Sequence, residues 1–259
     1  MYRMRLLKQF LYGIFYLAIL GGILWLIYSV TLKPAPSCFD NRQNGGETGM
    51  DCGGGCITCE IKNLSPLSLL PATLFSADRD FSASAELNNP NLNYGAKTFD
   101  YEVNFYDASG RVLETRENKS FIYSGETKNL IEAGVRITNG IPARAEIKID
   151  GKSIVWEKAE NFPVPKYNLK DFAAELENGQ AVVSGNISNP NNFILSKIIV
   201  SAFLVDKSGI KIGASKTELQ NVRPFRVENF KIFIPVRKDL AGAIDLEATA
   251  QNVFVEVLK

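Results

Sequence analysis

Apolar and polar positions change rhythm three times along this chain. From Gln9 to Leu32 there are 24 consecutive uncharged residues, "QFLYGIFYLAILGGILWLIYSVTL", with no polar face. At about 1.5 Å of rise per residue this run covers the roughly 30 Å of a bilayer's hydrocarbon core, so it predicts a membrane-crossing helix. The stretch from Cys38 to Cys59, "CFDNRQNGGETGMDCGGGCITC", is then polar, rich in glycine, and holds all four cysteines. Beyond it the period becomes two. In "FSASAEL", Phe81, Ala83, Ala85 and Leu87 share one face while Ser82, Ser84 and Glu86 share the other. "FDYEVNF" repeats this with Phe99, Tyr101, Val103 and Phe105. "AEIKIDGKSIVW" reads as a hairpin turning at Asp150-Gly151. Helical periodicity is absent after the first segment.

The strand patterns recur. "SASAELNNPN" ending at Asn91 matches "VVSGNISNPN" ending at Asn191, and "VNFYDASGRV" around Asp107 matches "AFLVDKSGIK" around Asp206. The apolar phase survives the offset, with Ile198, Val200, Ala202 and Leu204 standing for Phe99, Tyr101, Val103 and Phe105. Two copies of one β-module are therefore expected, over 62–160 and 166–259, joined by a linker at 161–165 that Pro163 and Pro165 stiffen. Seven or so short strands in about 100 residues read as a β-sandwich of immunoglobulin type. The expected fold is all-β: two tandem immunoglobulin-like sandwiches behind a basic end (1–8), a transmembrane helix (9–32) and a cysteine-rich stalk (33–61).

Charge orients this arrangement. Arg3, Arg5 and Lys8 precede the apolar run and no acidic residue occurs up to Lys33, which predicts a cytoplasmic N-terminus and an exported C-terminal part. A cleaved signal peptide is the competing reading, but the apolar run is long for one and the prolines of "KPAPS" suit a cleavage site poorly. The exported part carries 25 basic and 28 acidic residues, a near-neutral balance that argues against nucleic acid as partner. The chain has no histidine, which removes the commonest general base and most catalytic zinc chemistry. No nucleophile–base pair is visible either, so neither catalysis nor a cofactor is expected.

The cysteine spacing, C-x13-C-x3-C-x2-C, leaves three chemistries to weigh. Structural zinc sites usually come as paired knuckles, and Cys38 stands alone. A redox pair at Cys56 and Cys59 lacks the strand and helix that would activate it. An oxidising compartment and a segment too small for a core favour two disulfides among Cys38, Cys52, Cys56 and Cys59, in any of three pairings. Asp40, Asn44 and Asp51 are placed as in a calcium loop, but Arg42 sits where a third ligand belongs. A solvated, stapled loop is the expectation.

Each repeat has two turns with a physical role. Proline ends ladder bonding in Asn89-Pro90-Asn91 and Asn189-Pro190-Asn191, and the asparagines satisfy turn backbone. Asp107 and Asp206 cap tight turns closed by Gly110 and Gly209. This combination, over 75–135 and 175–235, resembles FxLYD-type domains and is similar to the water-stress and late-embryogenesis-abundant β-sandwiches. "VNFYD" and "AFLVD" stand where the name-giving motif would be. The resemblance implies a seven-stranded, non-catalytic module in exported, membrane-tethered proteins, and brings no catalytic residues. Asp40, Asn44, Glu47, Thr48, Asp51, Cys52, Gly53, Gly54, Cys56 and Cys59 are likewise similar to a short motif of exported bacterial surface proteins.

The sequence therefore implies a single-pass protein of the cell membrane. Its bilayer contact runs through 9–32, and a protein partner is expected in the envelope or at the surface. An accessory subunit of an envelope or secretion/pilus-type complex is the alternative, with Gly13, Gly21 and Gly22 allowing close helix contact. Ile199, Ser201, Phe203 and Val205 form an unusually apolar outward face where the first module has Asp100, Glu102, Asn104 and Tyr106. That face marks a contact, with the first module, with its own edge or with another chain. Asn63, Asn118 and Asn186 begin glycosylation sequons.

Overall fold

The computed structural model describes residues 2–32 and 37–259, with side chains from Lys8 to Val30 and from Ser37 onward; Met1, Lys33 and most of "KPAPS" lie outside the described residues. The chain divides into two compact units, Met1–Leu64 and Ser65–Lys259.

In the first unit, helix α1 (Tyr2–Ile27) continues as a π-helical turn over Tyr28–Leu32. Lys8–Val30 is strongly apolar, and its large apolar side chains, Phe10 to Val30, are exposed. A core helix would bury such a surface; this one has the length and composition to cross a membrane. After the cysteine segment comes the one-turn helix α2 (Cys59–Lys62), its N-terminus capped by the Thr58 hydroxyl, which accepts from the Ile61 amide.

The second unit is built of strands. Ser68–Leu69 (β1), Thr73–Ala77 (β2), Asp80–Asn88 (β3), Tyr94–Tyr106 (β4), Val112–Ile122 (β5), Thr127–Arg136 (β6), Arg144–Ile149 (β7) and Val155–Lys158 (β8) make up its first half. Its second half contains Asn168–Glu177 (β9), Gln180–Ser188 (β10), Leu195–Val205 (β11), Lys211–Val222 (β12), Val227–Pro235 (β13), helix α3 (Leu246–Gln251) and Val253–Leu258 (β14). Four antiparallel sheets result. In the first half β3 pairs with β1, β2 and β6, and β4 with β5, β7 and β8; in the second half β10 pairs with β9 and β13, and β11 with β12 and β14.

The period-two pattern decides what lies inside each pair of sheets. Phe81, Ala83, Ala85 and Leu87 of β3 meet Phe99, Tyr101, Val103 and Phe105 of β4 in one apolar cluster. Ala181, Val183 and Ile187 of β10 meet Ile198, Val200, Ala202 and Leu204 of β11 in a second. Phe99, Phe105, Leu87, Ile187 and Ile198 are all fully buried.

Two sequence expectations fail. The "AEIKIDGKSIVW" segment is not a hairpin: β7 pairs with β4 over Tyr101–Tyr106, and β8 pairs with the same edge over Tyr94–Thr98. β4 is 13 residues long, enough for both segments in succession. Asp150 therefore turns no strand back; its carboxylate accepts the Lys152 amide, and the Ser153 hydroxyl accepts the Asp100 amide at the break. Helices also occur beyond α1, in α2 and α3. At four and six residues both are too short to leave a period, and a cap announces each: Thr58, and Asp245 accepting from the Ala248 amide.

The apolar outward face of β11 meets the first half of its own unit. Phe203, Val205 and Ala214 pack against Phe75 and Ile131. Phe121, Tyr123 and Phe162 form an aromatic cluster that Leu258 joins, with Phe162 stacked 4.4 Å from Tyr123. Phe162 belongs to the expected linker, so that segment is partly core.

Candidate interaction site

The cysteine segment closes as Cys38–Cys56 and Cys52–Cys59, leaving no free cysteine. All four sulfurs are thus spent, so neither the zinc nor the free-dithiol reading has its ligands. Glu47 lies beside the Cys38–Cys56 bond, but that trio offers one carboxylate and no thiolate.

The acidic residues of this segment hold its own backbone. Asp51, buried, accepts the amides of Asp40 and Asn41, and Lys62 stands 3.5 Å from its other oxygen. Glu47 accepts the amides of Asn44 and Asp51, each at 3.2 Å. Asp40 accepts from the Asn44 side chain and from the Arg42 amide, and the Asn44 hydrogen bond leads in holding its carboxyl below the usual range. Asp40, Asn44 and Asp51 are therefore near one another, yet Asp51 faces N–H groups and an ammonium, which is the wrong electrostatics for a cation ligand. Asn44 Oδ1 is buried with no partner.

The glycines of the motif are required by space. A Cβ on Gly54, where φ is +61°, would lie 2.4 Å from the Gly46 carbonyl oxygen; on Gly53, φ +79°, it would lie 1.9 Å from the Thr48 hydroxyl. Gly54→Ala should therefore lower the yield of the native disulfide pair, read by non-reducing peptide mapping. Equal yields from variant and wild type would refute that account of the motif.

The turns of the second unit are built alike in both halves. Asn89, 1% exposed, donates to the carbonyls of Tyr94 and Tyr123, each at 2.8 Å, while its oxygen accepts the Asn91 amide and side chain. Asn189 donates to Phe193 and Val222 and accepts from Asn191 in the same way. Asn91 and Asn191 then clamp the incoming chain, through Ser65 and Lys166 respectively. Asp107 accepts the amides of Ser109 and Arg111, and Asp206 those of Ser208 and Ile210. The Ser109 hydroxyl is the main group holding the Asp107 carboxyl low. Gly110 and Gly209 take φ of +86° and +79°. None of these turn residues lines the cleft described below.

Sequence reasoning missed the junction inside the second unit. Lys128 of β6 and Glu256 of β14 form an ion pair with both side chains about nine-tenths buried. The Lys128 ammonium also donates to the Ser120 hydroxyl at 3.0 Å and lies over the Phe121 ring. The Tyr123 hydroxyl donates to the Val257 carbonyl, and Lys216 donates to the Ile131 carbonyl. Burial raises Glu126 and Tyr123 above their ordinary ranges. No local pattern announces a pair 128 residues apart; the only signal was the apolar outward face of β11.

A shallow cleft of about 630 Å³ lies on the first half, lined by Asp100, Glu102, Glu117, Lys119, Lys148 and Asp150 among others. Its charges are mutually satisfied in part, as by Lys119 with Asp100 at 2.7 Å.

No family model and no curated protein matches the chain. Among solved structures it is similar to a red sea bream transglutaminase, at 10% identity and a TM-score of 0.24, over 76% of this chain and 31% of that one. A likeness at that score carries no argument, and the chain spans under a third of that protein.

Proposed function

We propose that this is a membrane-anchored, exported protein of structural or protein-interaction role, which holds two tandem immunoglobulin-like β-sandwich modules outside the cytoplasmic membrane. One observation carries the reading: four cysteines closed as two disulfides, a few residues after an apolar helix with no buried face. Disulfides persist in oxidising compartments, and the helix provides the anchor. The modular part rests on the pairing of strands, which runs the same way in both halves around two separate apolar clusters. The resemblance to FxLYD-type and late-embryogenesis-abundant modules agrees with a non-catalytic role.

A second reading, an accessory subunit of an envelope or secretion/pilus-type complex, is favoured by one feature. Gly13, Gly21 and Gly22 all face open space on the exposed helix, so a partner helix can approach closely there.

Thiol alkylation and protease accessibility in intact host cells test the first reading. The expected result is no cysteine alkylated without reductant, digestion of residues after the helix by external protease, and protection of an N-terminal tag. Four reactive thiols, or a protected C-terminal part, would overturn it.

A further inference from the structure

The two halves of the second unit point the same way. Tyr123 and Leu258 meet at one end, where each half carries its Asn-Pro-Asn turn. At the opposite end Phe81 and Gly134 lie with Gly213 and Pro235. Ser65, the first residue of the unit, is bound to Asn91 at the Asn-Pro-Asn end.

One turn there departs from its counterpart. In the first half Tyr123-Ser124-Gly125-Glu126 turns with Gly125 at φ +64°, Tyr123 buried, and Glu126 accepting the Tyr123 amide. In the second half Arg223-Pro224-Phe225-Arg226 makes the same turn, with Arg226 bonded to Arg223 and to Asn189 as Glu126 is to Tyr123 and Asn89. Phe225 takes the glycine position at φ +59°, and it is 72% exposed. A bulky side chain in left-handed backbone is strained, and this one leaves most of its surface open to solvent. Both arginines are exposed, as are Val227 and, across the neighbouring Asn189 turn, Ile194 and Lys166.

We infer that this Arg-Pro-Phe-Arg tip binds the surface of an anionic bilayer, with Phe225 and Ile194 entering the interfacial region and Arg223, Arg226 and Lys166 facing lipid phosphates. Aromatic and aliphatic tips ringed by cations are what such an interface retains, since apolar burial and attraction to anionic headgroups act together. The inference rests on the membrane-anchored reading above. It commits to lipid over a protein partner because exposed aromatic and aliphatic side chains stand beside three cations at this tip, the combination that an anionic bilayer surface retains.

The test uses the full chain in vesicles of phosphatidylcholine with one quarter phosphatidylglycerol. An environment-sensitive fluorophore is attached at Phe225→Cys and, as control, at Ile210→Cys, an exposed position at the opposite end. Spin-labelled lipid is expected to quench the fluorophore at 225 at least threefold more than at 210. Arg223→Gln with Arg226→Gln should remove more than half of that quenching, as should purely zwitterionic vesicles. Equal quenching at 225 and 210 would overturn the inference, and undiminished quenching without anionic lipid would overturn its electrostatic part. Resistance of the same chain to alkaline extraction reports the anchor separately; extraction would overturn the reading beneath it.

Discussion

Replacing Glu256 with alanine should destabilise the second unit by about 3–5 kcal/mol, because it strands the Lys128 ammonium in a site that is nearly closed to water. The remaining partners, the Ser120 hydroxyl and the Phe121 ring, stabilise a cation but do not neutralise it. Denaturant unfolding of the full chain in detergent measures the loss. Lys128→Met combined with Glu256→Leu should recover most of it, since a buried ion pair and an apolar pair of similar volume are often close in stability. Asp100→Asn, which breaks the exposed Lys119 pair, should change stability by less than about 1 kcal/mol. An effect of Glu256→Ala no larger than that of Asp100→Asn would refute the junction as a stabilising contact.

Asn89→Ala and Asn189→Ala are the second pair of large effects, at about 3 kcal/mol each. Each removes two donors from buried carbonyl oxygens and the acceptor that shapes the following turn, and unmade buried hydrogen bonds cost about 1–3 kcal/mol apiece. Aspartate in either place should be worse than alanine, since a carboxylate would aim its charge at those carbonyls. Hydrogen exchange gives the locality: Asn89 variants should expose the Tyr94 and Tyr123 region first, and Asn189 variants the Phe193 and Val222 region. Wild-type stability of either alanine variant would show that the Asn-Pro-Asn turn is held by its proline and backbone alone. Asn63, exposed at the end of α2, is a control expected to change nothing measurable.

How far the sequence could be read depends on the range of each interaction. Turn chemistry is local: Asn89, Asp107, Gly110 and their counterparts all bond to residues near in sequence or to the adjacent strand. Likewise the alternation in β3 and β4 specified which side chains enter the core between the sheets, because side-chain direction along a strand has a fixed period; it did not show that Ser82, Ser84, Asn104 and Tyr106 on the other face are buried as well. Pairing partners were less legible. The Asp150-Gly151 turn looked like a hairpin because nothing local tells a reversal from a break between two segments on one edge. Nothing local in the sequence marks Phe225; its φ and its exposure do. In the cysteine segment the residue types pointed to two disulfides but left three pairings, and the choice depends on how Asp51 and Glu47 fold the backbone between them.

By itself, then, the sequence determined the apolar helix, the strands, their inward faces, the turn residues and the need for staples. All of these follow from periodicity or from chemistry within a few residues. Tertiary structure alone decided that β7 and β8 share the edge of β4, and that Phe203 and Val205 are covered by Phe75 and Ile131. It also decided that Lys128 meets Glu256. The physical reason is the same in each case: apolar or charged character states that a surface must be covered or paired, and only the packing of distant segments states by what.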